Sequence, residues 1–384
     1  MNRYIPLAWL QLLNDKLRLC AATAGIAFAV VLMLIQLGFE AALISSAGLH
    51  YNKMTYDIAL VSQQYEFMLN LQGFPERRLY QAFAVDGVED VNPLYISQAP
   101  WKSPWTRHER TVLLLGFDPK PGYIDLDPKY DPMNSLRIDD NVFFDARSRP
   151  EFGPIGKEVE AGRSVDTEIS GHHVHVAGLF NVGTSFGVDG TVLMSKQNFF
   201  RIQPFRSPES VNVGLIKIKP GYDPNQVRDQ LEKIMPNDVK VLTHEGLVDL
   251  EKNYWSKNTP IGFVFSFGLM MGFFVGAIVV YQILYTDVTD HLNEYATLKA
   301  MGYRDSYLFS VVIEEALILS LFGFIPGLIV SMVLYKFAAN ATLLPMKMTI
   351  GRALTVYAMT AVMCVVSGAL AMRKISSADP ADIF

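Results

Sequence analysis

Apolar positions are distributed very unevenly along this chain of 384 residues. Four runs, near 19–46, 259–285, 306–337 and 350–372, are almost continuous in Leu, Val, Ile, Phe, Met, Ala and Gly. A hydrocarbon core of about 30 Å takes roughly 20 apolar residues of helix to cross, and a helix is the only spanning form outside a closed barrel that satisfies its own backbone. The pattern therefore predicts transmembrane helices at 19–47, 259–285, 306–337 and 350–372. The layout is one plus three, with residues 48–258 between the first and second spans. Ahead of the first span, Trp9, Leu10, Leu12, Leu13 and Leu17 oppose Gln11, Asn14, Asp15 and Arg18, so residues 1–18 read as an interfacial amphipathic helix.

Residues 48–258 show the shorter periods of a soluble domain. YDIALVS (56–62) and VEDVNPLYI (88–96) read as strands flanking a helix, PERRLYQAFAV (75–85), opened by a proline. VNVGLIKIK (211–219), DPNQVRDQLEKIM (223–235) and VKVLT (239–243) repeat that order. Two β-α-β units, 56–96 and 211–243, thus flank a β-rich insertion at 97–210 with short runs TVLLLGF, HHVHVAGLF and GTVLM. The fold class expected is an α+β membrane protein with a large α+β domain inserted between spans one and two. Residues 245–258 read as a helix running into the second span, a stiff stalk.

Charge narrows the partners. Residues 48–258 hold 23 Lys+Arg and 28 Asp+Glu, which accounts for the whole net charge of −5. That is an ordinary globular surface without a polybasic tract, so nucleic acid is excluded as a partner. The only cysteines, Cys20 and Cys364, fall in or beside spans, which rules out a disulfide framework. The first apolar run is too long for a signal-peptide core and reads as an uncleaved anchor. Arg3, Lys16 and Arg18 precede span one, and Arg373 and Lys374 follow span four. Both termini are expected in the cytoplasm, with 48–258 and 338–349 outside and 286–305 inside. Lys336, Lys347 and Arg352 run against that bias.

Candidate chemistry is sparse. His172, His173 and His175 alternate along a strand and cannot converge as three metal ligands. Asp125, Asp127, Asp131, Asp139 and Asp140 lack the glycine and closing glutamate of a calcium loop. No Gly-x-Ser-x-Gly elbow and no phosphate-binding P-loop occurs, because Gly156-Lys157 is followed by Glu158. No enzymatic activity, metal or cofactor is expected in this chain. Within the spans, Gly268, Gly272 and Gly276, and Gly323 and Gly327, recur at every fourth position and let helices approach closely, inside one subunit or at a dimer seam. Pro326 should loosen the third span. Glu314 and Glu315 lie inside it, where a carboxyl marks function or helix packing. Four spans are too few to enclose a route, so a homodimer is expected.

The segment DHLNEYATLKAMGYRDSYLFSVVIEEALILSLFGFIPG (290–327) resembles the hallmark of the FtsX/MacB-type permease family. In that family a short coupling helix rests on a cytoplasmic ATPase, and the next span carries Glu-Ala-x-x-x-Ser-x-x-Gly. Glu315, Ala316, Ser320 and Gly323 stand in that order here. The N-terminal stretch 7–33 and the Asp-Pro-Ala tail in 373–384 are similar as well. Within the family the chain looks most like the DevC-type permeases of cyanobacterial exporters.

The resemblance implies a permease subunit of an ATP-driven efflux complex in the cell inner membrane that works by mechanotransmission. A separate ABC ATPase would dock on the coupling helix (286–305) through Tyr295, Leu298, Met301 and Tyr303, with Glu294 at the rim. The glycines and Glu315 would pack the helices. A periplasmic membrane-fusion adaptor, a TolC-like outer-membrane channel and membrane lipid are the other implied partners. Two further readings stay open: an FtsX-like regulator of a periplasmic cell-wall hydrolase, and a lipoprotein-extracting permease. The exported substrate stays open among lipid, lipopeptide, peptide and drug.

Overall fold

The computed structural model of the chain describes residues 16–372. The interfacial helix expected at 1–18 lies outside the described residues except for its last three positions, and so does the tail 373–384. In chain order the elements are α1 (Lys16–Ala47), α2 (Leu49–Asn52), β1 (Ile58–Ser62), β2 (Phe74–Pro75), α3 (Arg77–Gln81), β3 (Val88–Lys102), β4 (Glu109–Phe117), α4 (Pro132–Ser135), β5 (Asn141–Asp145), α5 (Ile155–Glu160), β6 (Asp166–Ile169), β7 (His172–Phe180) and β8 (Thr191–Ser195). There follow α6 (Lys196–Ile202), β9 (Ser210–Val211), β10 (Val213–Ile218), α7 (Pro224–Ile234), β11 (Val239–Thr243), α8 (His244–Asn253), α9 (Pro260–Asp290), α10 (Leu292–Ala300), α11 (Asp305–Thr342) and α12 (Ile350–Ala371).

The chain divides into two compact units, one made of 43–259 with 343–345 and the other of the remaining described residues. The inserted unit is built on a nine-stranded sheet in the order β11-β1-β10-β3-β4-β8-β5-β7-β6. Its first four strands interleave the two β-α-β units seen in the sequence. β1 pairs antiparallel with both β10 and β11, and β10 pairs antiparallel with β3. Each helix thus connects strands separated by one strand of the other unit, the split β-α-β arrangement. The stretch read as an insertion continues this same sheet. β3 is long enough to serve twice. Val88–Leu94 pairs with β10, Leu94–Lys102 pairs with β4, and Trp101 and Lys102 take β6 along a second edge. That last pairing closes β3-β4-β8-β5-β7-β6 into a ring.

The sheet is apolar on both faces, which explains why β1 is buried at all five positions. Ile58 and Leu60 join one core cluster with Trp101, Phe144 and Leu231. Ala59 and Val61 point to the other, with Tyr51, Tyr65, Phe143 and Leu247. This is the period-two consequence of strand geometry. Helix α7 starts at Asp223, whose side chain accepts from Asn225 N at 3.1 Å, and Pro224 occupies its first turn. It buries Val227 and Leu231, four residues apart on one face.

A polar knot lies within the second cluster. Tyr65 Oη donates to Glu251 Oε1 at 2.5 Å and lies 2.6 Å from Tyr51 Oη. His50 Nε2 bonds Thr191 Oγ1 at 2.9 Å. Burial pushes Glu251 up to about 8 from its ordinary 4.5 and pushes His50 down from 6.5 to about 4. Glu251 therefore costs stability as pH rises from 4.5 to 8, where the unfolded chain ionises it first. His50 costs stability as pH falls from 6.5 to 4, where the unfolded chain protonates it first. The two slopes cancel between pH 4.5 and 6.5. From pH 6.5 to 8 only Glu251 acts, and opening of β1 should become easier by about 2 kcal/mol. Hydrogen exchange of β1 amides, corrected for the intrinsic rate, reads this. A flat profile across that window would place the ionised carboxylate in the native knot.

The stalk expected over 245–258 into the second span is interrupted. Helix α8 ends at Asn253, one π-helical turn covers Tyr254–Asn258, and Thr259 is extended at φ −118, ψ 159 before α9 begins. The cause is Pro260, whose ring disfavours helical geometry in the residue before it. The first connection has no such break, because α1 is one helix from Lys16 to Ala47.

Four helices in the other unit, α1, α9, α11 and α12, are long and apolar enough to cross a membrane. α12 lies against both α9 and α11. Pro326 sits inside α11, which nevertheless runs without interruption from Asp305 to Thr342. At the far end of α11 the short segment 343–345 belongs to the inserted unit, where Thr184 Oγ1 donates to Leu343 O at 3.2 Å.

Candidate coupling site at one end of the helical bundle

The nine-residue helix α10 is delimited by local chemistry. Its N-cap is His291, whose Nδ1 lies 3.0 Å from Asp287 O. At its other end Gly302 takes φ +93, Gly302 N donates to Lys299 O at 3.0 Å and Tyr303 N to Leu298 O at 3.1 Å. That pair of bonds is a Schellman motif, which needs a left-handed residue at the glycine position. The chain then enters α11 at Asp305, which pairs with Lys299 at 3.2 Å.

The side chains expected to meet an ATPase do not share one face. Tyr295 is 1% exposed and packs with Val288, Leu308, Val312 and Met372, while Leu292 and Leu298 lie half-buried against the same cluster. The expectation that Tyr295 contacts a partner is therefore corrected. Leu292, Tyr295, Ala296 and Leu298 follow helical spacing and form the stripe that seats α10 on the bundle. Met301 at 64% and Tyr303 at 46% exposure remain outside, as does Glu294. The Tyr303 ring tilts against Tyr307 at 5.0 Å, extending this exposed surface into α11.

Beside α10 sits a charged cluster that sequence reasoning missed. Arg18 on α1 donates to Asp287 Oδ1 on α9 at 3.0 Å and also to Asp290. His291 Nδ1 lies 3.6 Å from Asp287 Oδ1. Glu315 on α11 is 1% exposed, and its Oε2 and Asp287 Oδ2 are buried without a hydrogen-bond partner among the described residues. A signal was available: one arginine at the head of the first apolar run and two aspartates at the foot of the second face each other if those helices are antiparallel neighbours.

The glycine rows are filled from within the chain. A Cβ on Gly276 would lie 2.5 Å from Met363 Sδ and 2.7 Å from Ala29 Cβ, and one on Gly272 would lie 3.3 Å from Met33 Cγ. Gly268 faces Gln36, and Gly323 faces Ile26. A Cβ on Gly327 would meet Val30 Cγ1 at 2.8 Å. α1 therefore lies in both grooves, antiparallel to α9 and parallel to α11, at the close approach that small residues permit.

Residues 264–380 match the family of the FtsX-like permease C-terminal domain. This stretch contains most of α9, all of α10, α11 and α12, and every candidate coupling residue. The chain is also similar to three solved structures. The periplasmic region of MacB from Actinobacillus actinomycetemcomitans matches at TM-score 0.35 and 10% identity, over 53% of this chain and 95% of that one. The extracellular domain of the noncanonic ABC-type transporter YknZ from Gram-positive bacteria matches at 0.32 and 13%, over 49% and 98%. A domain of a permease protein from Porphyromonas gingivalis matches at 0.28 and 12%, over 50% and 89%.

In the inserted unit the histidines and aspartates singled out in the sequence lie apart from one another or in structural contacts. His172 and His173 are exposed, and His175 Nδ1 bonds Asp166 at 2.9 Å. Asp139 pairs with Arg201 at 2.9 Å, and Asp127 caps a turn at Lys129 N. The buried carboxylate of Asp145 accepts backbone N–H groups of Arg147, Val182 and Gly183, the task of a loop organiser. Among the described residues no three His, Cys, Asp or Glu side chains come together as a metal site.

Proposed function

We propose that this chain is the permease subunit of an ATP-driven efflux complex that works by mechanotransmission. The observation that carries the reading is the exposed Met301–Tyr303 surface at the C-terminal exit of a short helix seated at the end of a bundle whose sequence matches the FtsX-like permease C-terminal domain. A separate ABC ATPase docks on that surface, and ATP hydrolysis takes place on it. Two copies of this chain form the permease. Closure of the ATPase dimer pushes α10, and Tyr295 passes that push into α9 and α11. α1, uninterrupted to Ala47, carries it towards the inserted domain. The connection through Thr259 is jointed, so we assign the stiff element to α1 and a hinge to Thr259–Pro260. On the far side of an inner membrane the inserted domain engages a periplasmic adaptor and, through it, an outer-membrane channel, as in the DevC-type exporters that the sequence resembles.

The orientation is open to a direct test. With Cys20 and Cys364 replaced by serine, a cysteine at exposed position 150 should label with an impermeant thiol reagent in spheroplasts, and one at exposed position 297 only after lysis. The opposite pattern would place the inserted domain in the cytoplasm and end the export reading.

A further inference from the structure

We propose that the inserted domain carries a binding site for a phospholipid with an ammonium-bearing, zwitterionic headgroup, drawn from the membrane leaflet on its own side. A cleft lined by α8, the turn after it, β11 and the segment following β1 holds the headgroup. The aromatic side chains beside the cleft receive the upper acyl chains. The site depends only on the four spans, and its use in transport rests on the efflux reading above.

The cleft has a volume of about 450 Å³, within the range of small-molecule sites. Tyr65, Glu66, Lys240, Asp249, Tyr254 and Lys257 line it, so two cations and two carboxylates meet in one opening. Lys240 Nζ is placed by Tyr65 O, to which it donates at 3.2 Å. Asp249 has Lys252 at 3.7 Å, and Glu66 and Lys257 are exposed. A headgroup with a phosphate and a primary ammonium answers both signs of charge. The lysines donate to the phosphate oxygens, and the carboxylates accept from the ammonium. A purely anionic headgroup meets the two carboxylates, and a choline headgroup has no N–H to give them.

The route of the chain brings this cleft to lipid. The Tyr254 ring, at the cleft wall, stacks on Phe67 at 4.2 Å. Trp255 packs edge-on against Phe67 at 5.6 Å and against Phe186 at 5.4 Å, and Phe186 is 51% exposed. The passages to the spans converge on these rings. Phe186 N donates to Ser46 Oγ, near the end of α1, at 3.3 Å. Thr184, two residues before Phe186, holds Leu343 just past α11. Trp255 itself lies on the π-helical turn that precedes Pro260, the first residue of α9. Aromatic rings that flank a span sit at headgroup level, so the cleft opens where headgroups are. Tyr254 and Lys257 belong to the same turn, so movement at the Thr259 joint reshapes the cleft.

The test uses the purified full chain in phosphatidylcholine nanodiscs without the ATPase. Tryptophan fluorescence is read as wild type minus W255F, which isolates Trp255 from Trp9, Trp101 and Trp105. Phosphatidylethanolamine, phosphatidylglycerol and phosphatidylcholine, each brominated on the upper acyl chain, are added in turn as a minor component. Phosphatidylethanolamine should quench Trp255 at least about threefold more strongly than the other two, the scale of one exposed ion pair. K257E should bring that quenching down to the phosphatidylcholine level. E66Q combined with D249N should instead make phosphatidylglycerol the strongest quencher, a reversal that loss of structure does not produce. Equal quenching by all three lipids would overturn the inference, because Trp255 would then meet only bulk lipid. Absence of quenching would overturn it too, as would an ethanolamine preference unchanged in both variants. No nucleotide or transport enters these readings, so their failure leaves the efflux reading standing, and failure of ATPase docking leaves the lipid site standing.

Discussion

A chain carrying Met301→Asp and Tyr303→Asp should fold, insert and assemble normally, yet fail to recruit its ATPase. Both side chains are exposed, and Tyr303 gives up only its surface ring contact with Tyr307, so their loss takes little from the bundle. At an interface, truncating an apolar anchor costs roughly 2 kcal/mol or more, and two new carboxylates in a desolvated pocket add to that. Affinity should fall at least about a thousandfold on that arithmetic, and stimulation of ATP hydrolysis should vanish with it. Tyr295→Asp supplies the contrast. Tyr295 is sealed against Val288, Leu308 and Val312, so this change should lower thermal stability in detergent and thin the membrane-inserted pool. Co-purification of the ATPase with each variant, beside a melting curve, separates the two effects. Wild-type recruitment by the double variant would remove α10 and its exit loop from the coupling path.

Arg18→Met should destabilise the bundle by about 3–5 kcal/mol, because removing one partner strands a buried charge on Asp287. The methionine keeps the apolar stem, so the loss reports the guanidinium. Adding Asp287→Asn should restore most of that stability by taking away the stranded charge, and the coupling between the two changes should be large in a double-mutant cycle. Additive effects in thermal unfolding would mean that Arg18 and Asp287 do not depend on each other in the folded protein.

Several features were legible in the sequence for plain physical reasons. The spans follow from uninterrupted apolar length, and β11 (Val239–Thr243) and α7 follow from periodicity and an Asp-Pro cap. The order of strands was not legible. β1 and β10 are adjacent although more than 150 residues separate them, and pairing at that distance leaves no local mark. The double use of β3 was hidden for the same reason, since its partners β4, β6 and β10 lie far apart in the chain. The break at Thr259 was readable from the proline that follows it. On α10 the apolar stripe was visible, but nine residues cannot say whether Tyr295 faces a partner or its own bundle. The Arg18–Asp287 pair needed α1 and α9 to be antiparallel and in register, which the contacts of Gly268, Gly272 and Gly276 with α1 also show.

The central claim is that the α10 surface moves the inserted domain. Spin labels at the fully exposed position 205 in both copies of a reconstituted complex measure it by electron–electron distance spectroscopy. The account predicts that the distance distribution shifts when a non-hydrolysable ATP analogue binds the wild-type complex, and that with Met301→Asp and Tyr303→Asp it stays at the nucleotide-free distribution. Identical distributions in the wild type with and without nucleotide would contradict it.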